Sequence, residues 1–357
     1  MKSIGFLIAN MDGKGGTERV TSILANGLIE RGYNVKIISC KDGLNPTYPL
    51  RREVKLFSLR DGNKKSTMGS KISSLYRLNR FLKEQKIDIC IAVDVTLFLY
   101  LWILHFFNKK IKFIAWEHFN YYINNSKTTQ LARLLAARYA DCLVVLGKND
   151  LKNYTNHFNN IKRIEYIYNP LTFDTTKSTT LNNKQIIAAG RLTKQKGFDL
   201  LLKVWKKIED KHNGWQLKII GEGKEKKNLL AQIVNNKIPD VILSGYSDNI
   251  QNEYLNSSLF ILSSRYEGFV LVLLEAQAAG LPCVSFNCKE GPSEIIDNNV
   301  NGYLINNFNL EEMGRKISFL INNKKELEKF SKNAKKDLGR FEKQVILDRW
   351  ENLFQSL

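Results

Sequence analysis

The chain has 357 residues, more than one ordinary α/β core holds, so two domains of roughly 170 residues are expected. A hydrophobic fraction of 43% suits packed interiors and excludes a disordered chain. The net charge is +19 and is uneven, because residues 1–170 carry +14 and the remainder +5. This excess fits nucleic acid, an anionic membrane or a phosphate-bearing substrate as partner, and a merely solubilising surface explains it equally well.

No signal peptide is expected, because Ile4–Asn10 fits a short strand and no small-residue cleavage site follows. The longest apolar run, Leu97–Phe107, is too short to span a bilayer. It predicts a buried helix or, alternatively, a segment at a membrane surface. Five scattered cysteines without a Cys-x-x-Cys pair and only four histidines disfavour a zinc site and fit reduced thiols in the cytosol.

The first half alternates strands and helices. The elements predicted there are strand Ile4–Asn10, helix Thr17–Arg31 ended by Gly32, strand Val35–Ser39, helix Lys71–Lys86, and strands Ile87–Val93, Ile111–Trp116 and Cys142–Leu146. Helix 71–86 is basic and amphipathic, with apolar positions at Ile72, Leu75, Leu78, Phe81 and Leu82. The alternation predicts a parallel, doubly wound sheet.

Residues 172–184 are polar and without periodicity, so they predict a linker. The pattern then restarts, with strands predicted at Gln185–Ala189, Trp215–Ile220, Val241–Leu243, Leu259–Ser263 and Cys283–Phe286, and a last amphipathic helix at Glu342–Phe354. We expect domains at 1–170 and 171–340, followed by a terminal helix in 341–357. Two α/β halves also predict a ligand in a cleft between them.

Glycines 13, 15 and 16 join the first strand to the first helix. Glycine lets a backbone approach a ligand, and the start of a helix offers free N–H groups to an anion. The loop is not the dinucleotide fingerprint, because the third glycine of that pattern would fall at Glu18. A tight turn without a ligand is the alternative.

A basic loop, residues 190–197, follows the first strand of the second half. Its cations Arg191, Lys194 and Lys196 stand at the carboxyl end of a strand, where they could neutralise a diphosphate. The alternative is a solvated loop. The chain has no Asp-x-Asp pair to hold a divalent metal on a diphosphate, so neither a metal nor another cofactor is expected and the cations must supply the neutralising charge.

Glu267 lies in a loop before a helix predicted from about Phe269 to Gly280, and Glu275 falls in the second turn of that helix. A carboxylate among apolar residues is costly to bury without a partner. A sugar hydroxyl or a ribose could be that partner, and a structural salt bridge is the alternative. A glycosidase pair is disfavoured by the phosphate-type basic loop. His118 follows a predicted strand, and its spacing alone assigns it no role.

Taken together, these residues resemble the GT-B glycosyltransferases of the retaining family 4. The resemblance covers nearly the whole chain and is most specific in Gly-Arg-Leu-x-x-x-Lys-Gly at 190–197 and Glu-x7-Glu at 267–275. Gly-Gly-Thr-Glu-Arg-Val at 15–20 agrees, and 291–296 is similar to members that build bacterial O-antigen, capsule and lipid-linked oligosaccharides. Val270 departs from the family pattern, where many members carry Gly or Pro.

The resemblance implies a GT-B fold whose last helix returns to the first domain. It implies that Arg191 and Lys196 grip the donor diphosphate, and that Glu275 holds the ribose. The donor sugar and phosphates would also be contacted by Gly15, Gly16, Glu267, Gly268, Phe269 and the backbone of 290–293. His118 would lie near the reactive face of the sugar. The catalytic residues implied are therefore Glu267, His118, Arg191 and Lys196.

The implied reaction is metal-independent transfer of a hexose or N-acetylhexosamine, with retention, from a nucleotide diphosphate, most often UDP. The leaving diphosphate would help deprotonate the acceptor hydroxyl. The first domain would hold a lipid-linked saccharide on the anionic inner face of the plasma membrane, and nucleic acid is not expected. Alternatives are a nicotinamide dehydrogenase, which the missing third glycine disfavours, and a non-catalytic partner or polyanion-binding protein on the same fold.

Overall fold

The computed structural model describes residues 2–60, 68–123, 126–173, 175–208 and 214–357. The chain forms two compact units: unit 1 is Met1–Thr172 with Phe341–Leu357, and unit 2 is Phe173–Arg340. Each contains one parallel sheet whose strands are connected mainly through helices, which confirms the predicted α/β class with two doubly wound sheets. Of the predicted linker 172–184, residue 174 lies outside the described residues.

Unit 1 is built on a seven-stranded sheet, counted over the described residues. Its strands are β1 (Ser3–Ile8), β2 (Asn34–Ser39), β3 (Lys55–Ser58), β4 (Ile89–Val93), β5 (Lys112–Trp116), β6 (Cys142–Val145) and β7 (Ile164–Tyr166). Its first helices are α1 (Gly16–Glu30), α2 (Met68–Glu84), α3 (Phe98–His105), α4 (Lys127–Tyr139) and α5 (Lys148–His157). The strand order is β3-β2-β1-β4-β5-β6-β7. The central strands β1 and β4 are buried throughout, as expected of strands covered on both faces.

Unit 2 is built on a sheet of six strands in the part of the chain that the structure describes. They are β8 (Gln185–Ala189), β9 (Gln216–Ile220), β10 (Val241–Gly245), β11 (Leu259–Leu262), β12 (Cys283–Phe286) and β13 (Gly302–Ile305). The helices of this unit are α6 (Phe198–Lys207), α7 (Lys226–Asn235), α8 (Ile250–Leu255), α9 (Leu271–Ala278), α10 (Leu310–Ile321) and α11 (Lys324–Ala334). The strand order is β10-β9-β8-β11-β12-β13.

In both sheets the chain order reverses at one place. The reversal lies between β1 and β4 in unit 1 and between β8 and β11 in unit 2. Loops that leave the carboxyl ends of two such strands diverge to opposite faces of the sheet and leave a crevice, which is where parallel α/β sheets bind ligands. In each unit, functional side chains are therefore expected at the carboxyl ends of these two strands.

The last helix, α12 (Lys343–Gln355), belongs to unit 1 and confirms the predicted return to the first domain. It packs against α1 where Gly27 leaves room, since a Cβ at Gly27 would stand 2.5 Å from a methyl group of Leu347. Lys343 pairs with Glu30 at 2.7 Å. Trp350 of α12 packs edge to face on Trp116 at the end of β5, with ring centroids 5.1 Å apart.

Two sequence predictions need correction. The run Leu97–Phe107 is not a fully buried helix, because α3 buries Phe98, Leu101 and Leu104 while Phe107 is 72% exposed. In the predicted helix 71–86, Ile72 does not join the buried face and is 65% exposed, whereas Leu78 and Leu82 are buried. In both cases one helical face packs on the sheet and the apolar residues off that face remain at the surface.

Three strands were missed: β3, β7 and β13. Each is at the edge of its sheet and has only three or four residues. Edge strands are covered on fewer sides, so they lack the continuous apolar run by which the central strands were recognised. No helix in the described ranges combines the length and the apolar character needed to cross a bilayer.

Because Trp350 is fully buried, Trp350→Ala is expected to reduce the free energy of unfolding of unit 1 by about 3–5 kcal/mol, the usual cost of emptying an aromatic site. The measurement is urea denaturation followed by circular dichroism. Val345→Ala on the exposed part of the same helix is the control and should change stability by less than about 0.5 kcal/mol. Equal stability of the two variants would contradict the assigned role of α12.

Candidate functional site

Two loops meet at the reversal point of unit 2. The basic loop 190–197 leaves the carboxyl end of β8, and the loop 263–270 leaves the carboxyl end of the neighbouring strand β11. They approach so closely that a Cβ at Gly197 would stand 2.0 Å from the carbonyl oxygen of Ser263. Gly197 also has φ of +65°, so both the space and the backbone conformation require glycine there.

The two loops bring together Lys196 and Glu267, two of the residues predicted for the site. Lys196 Nζ donates to Glu267 Oε1 at 2.7 Å, and both side chains are largely buried. The stem of Lys196 lies over Gly190, whose absent side chain leaves the space for it. A buried ion pair adds little net stability, since desolvation offsets the Coulomb attraction, but it fixes both charged groups in one geometry.

A second ion pair holds the same two loops and was not found from the sequence. The guanidinium of Arg265 donates two hydrogen bonds of 2.7 Å to the two carboxylate oxygens of Asp199 at the start of α6. The same guanidinium also donates to the carbonyl of Lys194. Bidentate pairs of this kind have a defined orientation. Arg265 and Asp199 thus support the loops that carry Lys196 and Glu267.

Arg191 differs from Lys196 in being exposed. No hydrogen bond or ion pair of its guanidinium is found among the described residues. The neighbouring glycine turn after β9 serves close packing, because a Cβ at Gly221 would stand 1.9 Å from the carbonyl oxygen of Gly190. The predicted grip of Arg191 and Lys196 on a diphosphate remains a prediction, with one cation in an ion pair and the other directed to solvent.

Glu275 lies in the second turn of α9 and is buried, as the sequence predicted. Its Oε2 accepts a hydrogen bond of 3.3 Å from the hydroxyl of Tyr254 in α8. One partner of this carboxylate is therefore a buried hydroxyl within the protein. The contact of Glu275 with a ribose remains a prediction.

The loop after β12 packs directly on the loop of Glu267. Gly291 has φ of +94°, and a Cβ there would stand 2.7 Å from the carbonyl oxygen of Gly268. Phe269 is buried and Gly268 is partly exposed. Segment 290–293 is thus adjacent to residues 267–269. That both contact the donor remains a prediction.

In unit 1, Gly15 and Gly16 stand at the start of α1, after β1. The carboxylate of Glu18 lies beside this loop, so that a Cβ at Gly15 would be 2.6 Å from one of its oxygens. The glycine loop therefore has an internal anion near the start of the helix, where the sequence predicted a phosphate. The role of Gly15 and Gly16 in donor binding remains a prediction.

His118 follows β5 and is buried, with its ring 4.1 Å from that of Trp116. Burial lowers the pKa of the imidazole to about 3, so His118 is neutral at physiological pH. Its Nε2 is buried and has no hydrogen-bond partner among the residues that the structure describes. A neutral imidazole of this kind can donate or accept a hydrogen bond but is poorly suited to proton transfer near pH 7.

A buried polar network surrounds the residues on both sides of His118. Arg133 of α4 donates through Nε to Glu117 at 3.0 Å, and Tyr154 donates to the same carboxylate at 2.7 Å. The other oxygen of Glu117 accepts from the amide of Phe119 at 3.1 Å. Desolvation raises the pKa of Glu117 to about 7, against the opposing effect of Arg133. This network was not predicted from the sequence.

Asp94 is a further residue that the sequence did not indicate. It follows β4 at the reversal point of unit 1 and has φ of +108°, which is unusual for a residue other than glycine. Its Oδ1 accepts from the amide and the hydroxyl of Thr96, at 2.7 and 2.6 Å. Backbone strain of this kind concentrates at functional sites. Over the described residues, no cluster of His, Cys, Asp and Glu suited to a metal is present.

The sequence of each unit matches a model of a known protein family. Residues 14–174 match Glycosyltransferase Family 4, and residues 173–337 match Glycosyl transferases group 1. An uncharacterized glycosyltransferase of Haemophilus influenzae is 33% identical over 99% of this chain and 100% of its own length. These matches are all to glycosyltransferases, which contradicts the alternative of a nicotinamide dehydrogenase.

Two further proteins are similar over their full length. An α-1,4-N-acetyl-D-galactosaminyltransferase of Campylobacter jejuni, named for a GalNAc-containing acceptor on PP-undecaprenol, is 27% identical over 100% of this chain and 99% of its own. HepE of Anabaena, solved in complex with UDP-glucose, has a TM-score of 0.83 at 19% identity and covers 100% of both chains. Two family models together span most of the chain, and its two parallel α/β units have the GT-B fold. This protein therefore belongs to the family 4, group 1 glycosyltransferases.

Proposed function

We propose that this glycosyltransferase moves a hexose or N-acetylhexosamine, with retention, from UDP to a lipid-linked glycan of a bacterial surface polysaccharide. The observation that carries the proposal is the Lys196–Glu267 pair of 2.7 Å at the reversal point of the unit 2 sheet. It joins a cation suited to a diphosphate and a carboxylate suited to sugar hydroxyls. The UDP-glucose complex of HepE supports the donor, and the name of the Campylobacter protein supports the acceptor.

In the proposed reaction, the bond between the anomeric carbon and the diphosphate oxygen breaks while the acceptor oxygen bonds to the same face. The acceptor proton passes to the leaving diphosphate, whose growing negative charge Lys196 and Arg191 stabilise. No protein nucleophile takes part. His118 contributes a hydrogen bond rather than a proton, since burial keeps its pKa near 3. A buried nitrogen with no partner in the described part of the chain is costly, which supports a ligand-binding role for it.

A panel of nucleotide sugars tests the donor. We expect UDP-sugars to raise the melting temperature and to be slowly hydrolysed, while Lys196→Met should weaken binding by roughly 10–150-fold through loss of a charged hydrogen bond. Lys226→Met is the matched control, because Lys226 pairs with Glu222 on the surface of the same unit. Binding of heparin without turnover of any nucleotide sugar would favour the non-catalytic, polyanion-binding alternative.

Turnover is expected to need no divalent metal. The cations Arg191 and Lys196 supply the positive charge that a metal would otherwise provide. The measurement is UDP release in EDTA after removal of bound metals. Loss of activity in EDTA that magnesium or manganese restores would show the assignment to be wrong.

Glu267→Gln and Glu275→Gln are expected to have different effects. Glu267 is proposed to contact the sugar, which changes at the transition state, so its loss should lower kcat. Glu275 is proposed to hold the ribose, which does not change, so its loss should raise the donor KM. Each should cost roughly 10–150-fold in kcat/KM. Glu222→Gln, an exposed glutamate of the same unit, should behave like wild type.

Circular dichroism must first show that both variants are folded, since Glu275 is buried and bonded to Tyr254. Normal turnover by Glu267→Gln would rule out its catalytic role. If Glu267→Gln loses only donor affinity and Glu275→Gln loses only kcat, the two roles are reversed and the proposed placement of the donor is wrong.

A surface of unit 1 suits the proposed membrane location. At the end of α3 and on α4, apolar side chains are exposed, and we define them as the α3/α4 surface: Ile103, Phe106, Phe107, Leu131 and Leu134. The rings of Phe106 and Tyr139 lie 6.0 Å apart and connect the two helices. Lys109 lies 5.6 Å from the ring of Phe106 and Lys110 follows it. Exposed aromatics next to lysines are typical of binding to an anionic membrane interface.

Flotation with vesicles tests this location. Wild type is expected to bind vesicles containing phosphatidylglycerol, less so in high salt, and to bind neutral vesicles weakly. The double variant Phe106→Ser, Phe107→Ser should lose most binding, and so should Lys109→Glu, Lys110→Glu. Phe308→Ser, an exposed phenylalanine of unit 2, is the control. Equal binding to neutral and anionic vesicles, or no binding to either, would rule out the electrostatic explanation.

A further inference from the structure

Arg133 is a buried cation. The free energy that its desolvation costs is not explained by a contribution to the stability of the fold. It lies on α4 among buried residues, and its side chain is 2% exposed. Removing a guanidinium from water costs several kcal/mol, and an apolar side chain of similar size generally packs as well. Besides Glu117, within the described ranges it donates to the main-chain carbonyls of Asn120 at 2.7 Å, Tyr121 at 2.7 Å and Ile123 at 2.9 Å.

These bonds fix the chain on both sides of His118. On its amino-terminal side, Glu117 is held by Arg133 and Tyr154. On its carboxyl-terminal side, Glu117 accepts from the amide of Phe119, and Arg133 then binds the carbonyls of residues 120, 121 and 123. A planar guanidinium with five donors can bind several acceptors in fixed directions, which lysine cannot.

From this geometry we infer that Arg133 is a positioning residue for the reaction, holding loop 117–123 so that His118 keeps the orientation needed at the donor sugar. The inference rests on the proposed role of His118. In this role Arg133 acts through His118 and needs no contact with the substrate. A misplacement of a catalytic group by about 1 Å costs on the order of 100-fold in rate, so loss of this support should lower kcat although the reacting groups are all present.

Two variants of Arg133 separate positioning from stability. Arg133→Lys keeps the charge opposite Glu117 but not the fan of bonds to three carbonyls, and Arg133→Met removes both. We expect kcat for the UDP-sugar identified by the panel to fall about 10–100-fold in Arg133→Lys, with the affinity for UDP within about twofold of wild type. Arg31→Lys is the control, since Arg31 also makes several bonds in unit 1, to Asp348 and Gln344 of α12.

A double-mutant cycle with His118→Ala decides whether Arg133 acts through His118. We expect His118→Ala to lower kcat and Arg133→Lys to add less than about twofold in that background. Fully additive losses, or normal kcat in Arg133→Lys while His118→Ala is defective, would overturn the inference and leave the proposed function intact. Normal kcat in His118→Ala would overturn both this inference and the proposed role of His118.

Should Arg133→Lys prove unfolded, Tyr154→Phe provides the same test with a smaller change. It removes the 2.7 Å bond to Glu117 and keeps the ring in place. We expect kcat to fall by roughly 3–10-fold with UDP affinity unchanged, as for loss of one hydrogen bond. An unchanged kcat in this variant would contradict the inference.

Discussion

The close approach of Gly197 to Ser263 determines how unit 2 can arrange its charges. With no room for a side chain between them, the loops after β8 and β11 meet as bare backbone. Lys196 on one loop and Glu267 on the other are then within hydrogen-bond distance, and the pair of Arg265 with Asp199 keeps the loops in register. A larger residue at position 197 would separate the loops, and each later feature of the site depends on their contact.

Both units bury charge beside a strand end, and they do so differently. In unit 2 the pair of Lys196 and Glu267 joins two loops and consists of residues that carry the proposed chemistry themselves. In unit 1 the pair of Arg133 and Glu117 is more deeply buried and joins a helix to one loop. Desolvation offsets the Coulomb attraction in both pairs, so neither adds much stability. Both are better explained by the fixed geometry that they impose on the charged groups and the loops that carry them.

The sequence predicted well what depends on local pattern. Strands β8 and β12 were predicted to the residue, since each is a short apolar run bounded by polar or turn residues. The sequence also singled out Lys196 and Glu267, which the structure brings together, because glycines and charges cluster at strand ends in a family pattern. Their pairing was not found, since contact between loops distant in sequence depends on strand order, which periodicity does not specify.

What the sequence missed has physical reasons too. Edge strands carry weak hydrophobic patterns, and exposed faces of α2 and α3 include apolar residues that look buried in sequence. Arg133 did leave a signal: on α4 it falls in the buried stripe with Thr129 and Ala136, at helical spacing. A charged residue within such a stripe indicates a buried partner, and the partner was Glu117, beside a histidine to which spacing alone assigned no role.

The return of α12 to unit 1 has a consequence for synthesis on the ribosome. Unit 2 is continuous, Phe173–Arg340, and all of it is made before α12 emerges. At about 5–20 residues per second, this interval lasts on the order of ten to thirty seconds. During this interval unit 1 lacks α12, which covers α1 and Trp116. The apolar surface beneath α12 is then exposed to other nascent chains. The half of the protein made first is therefore completed last.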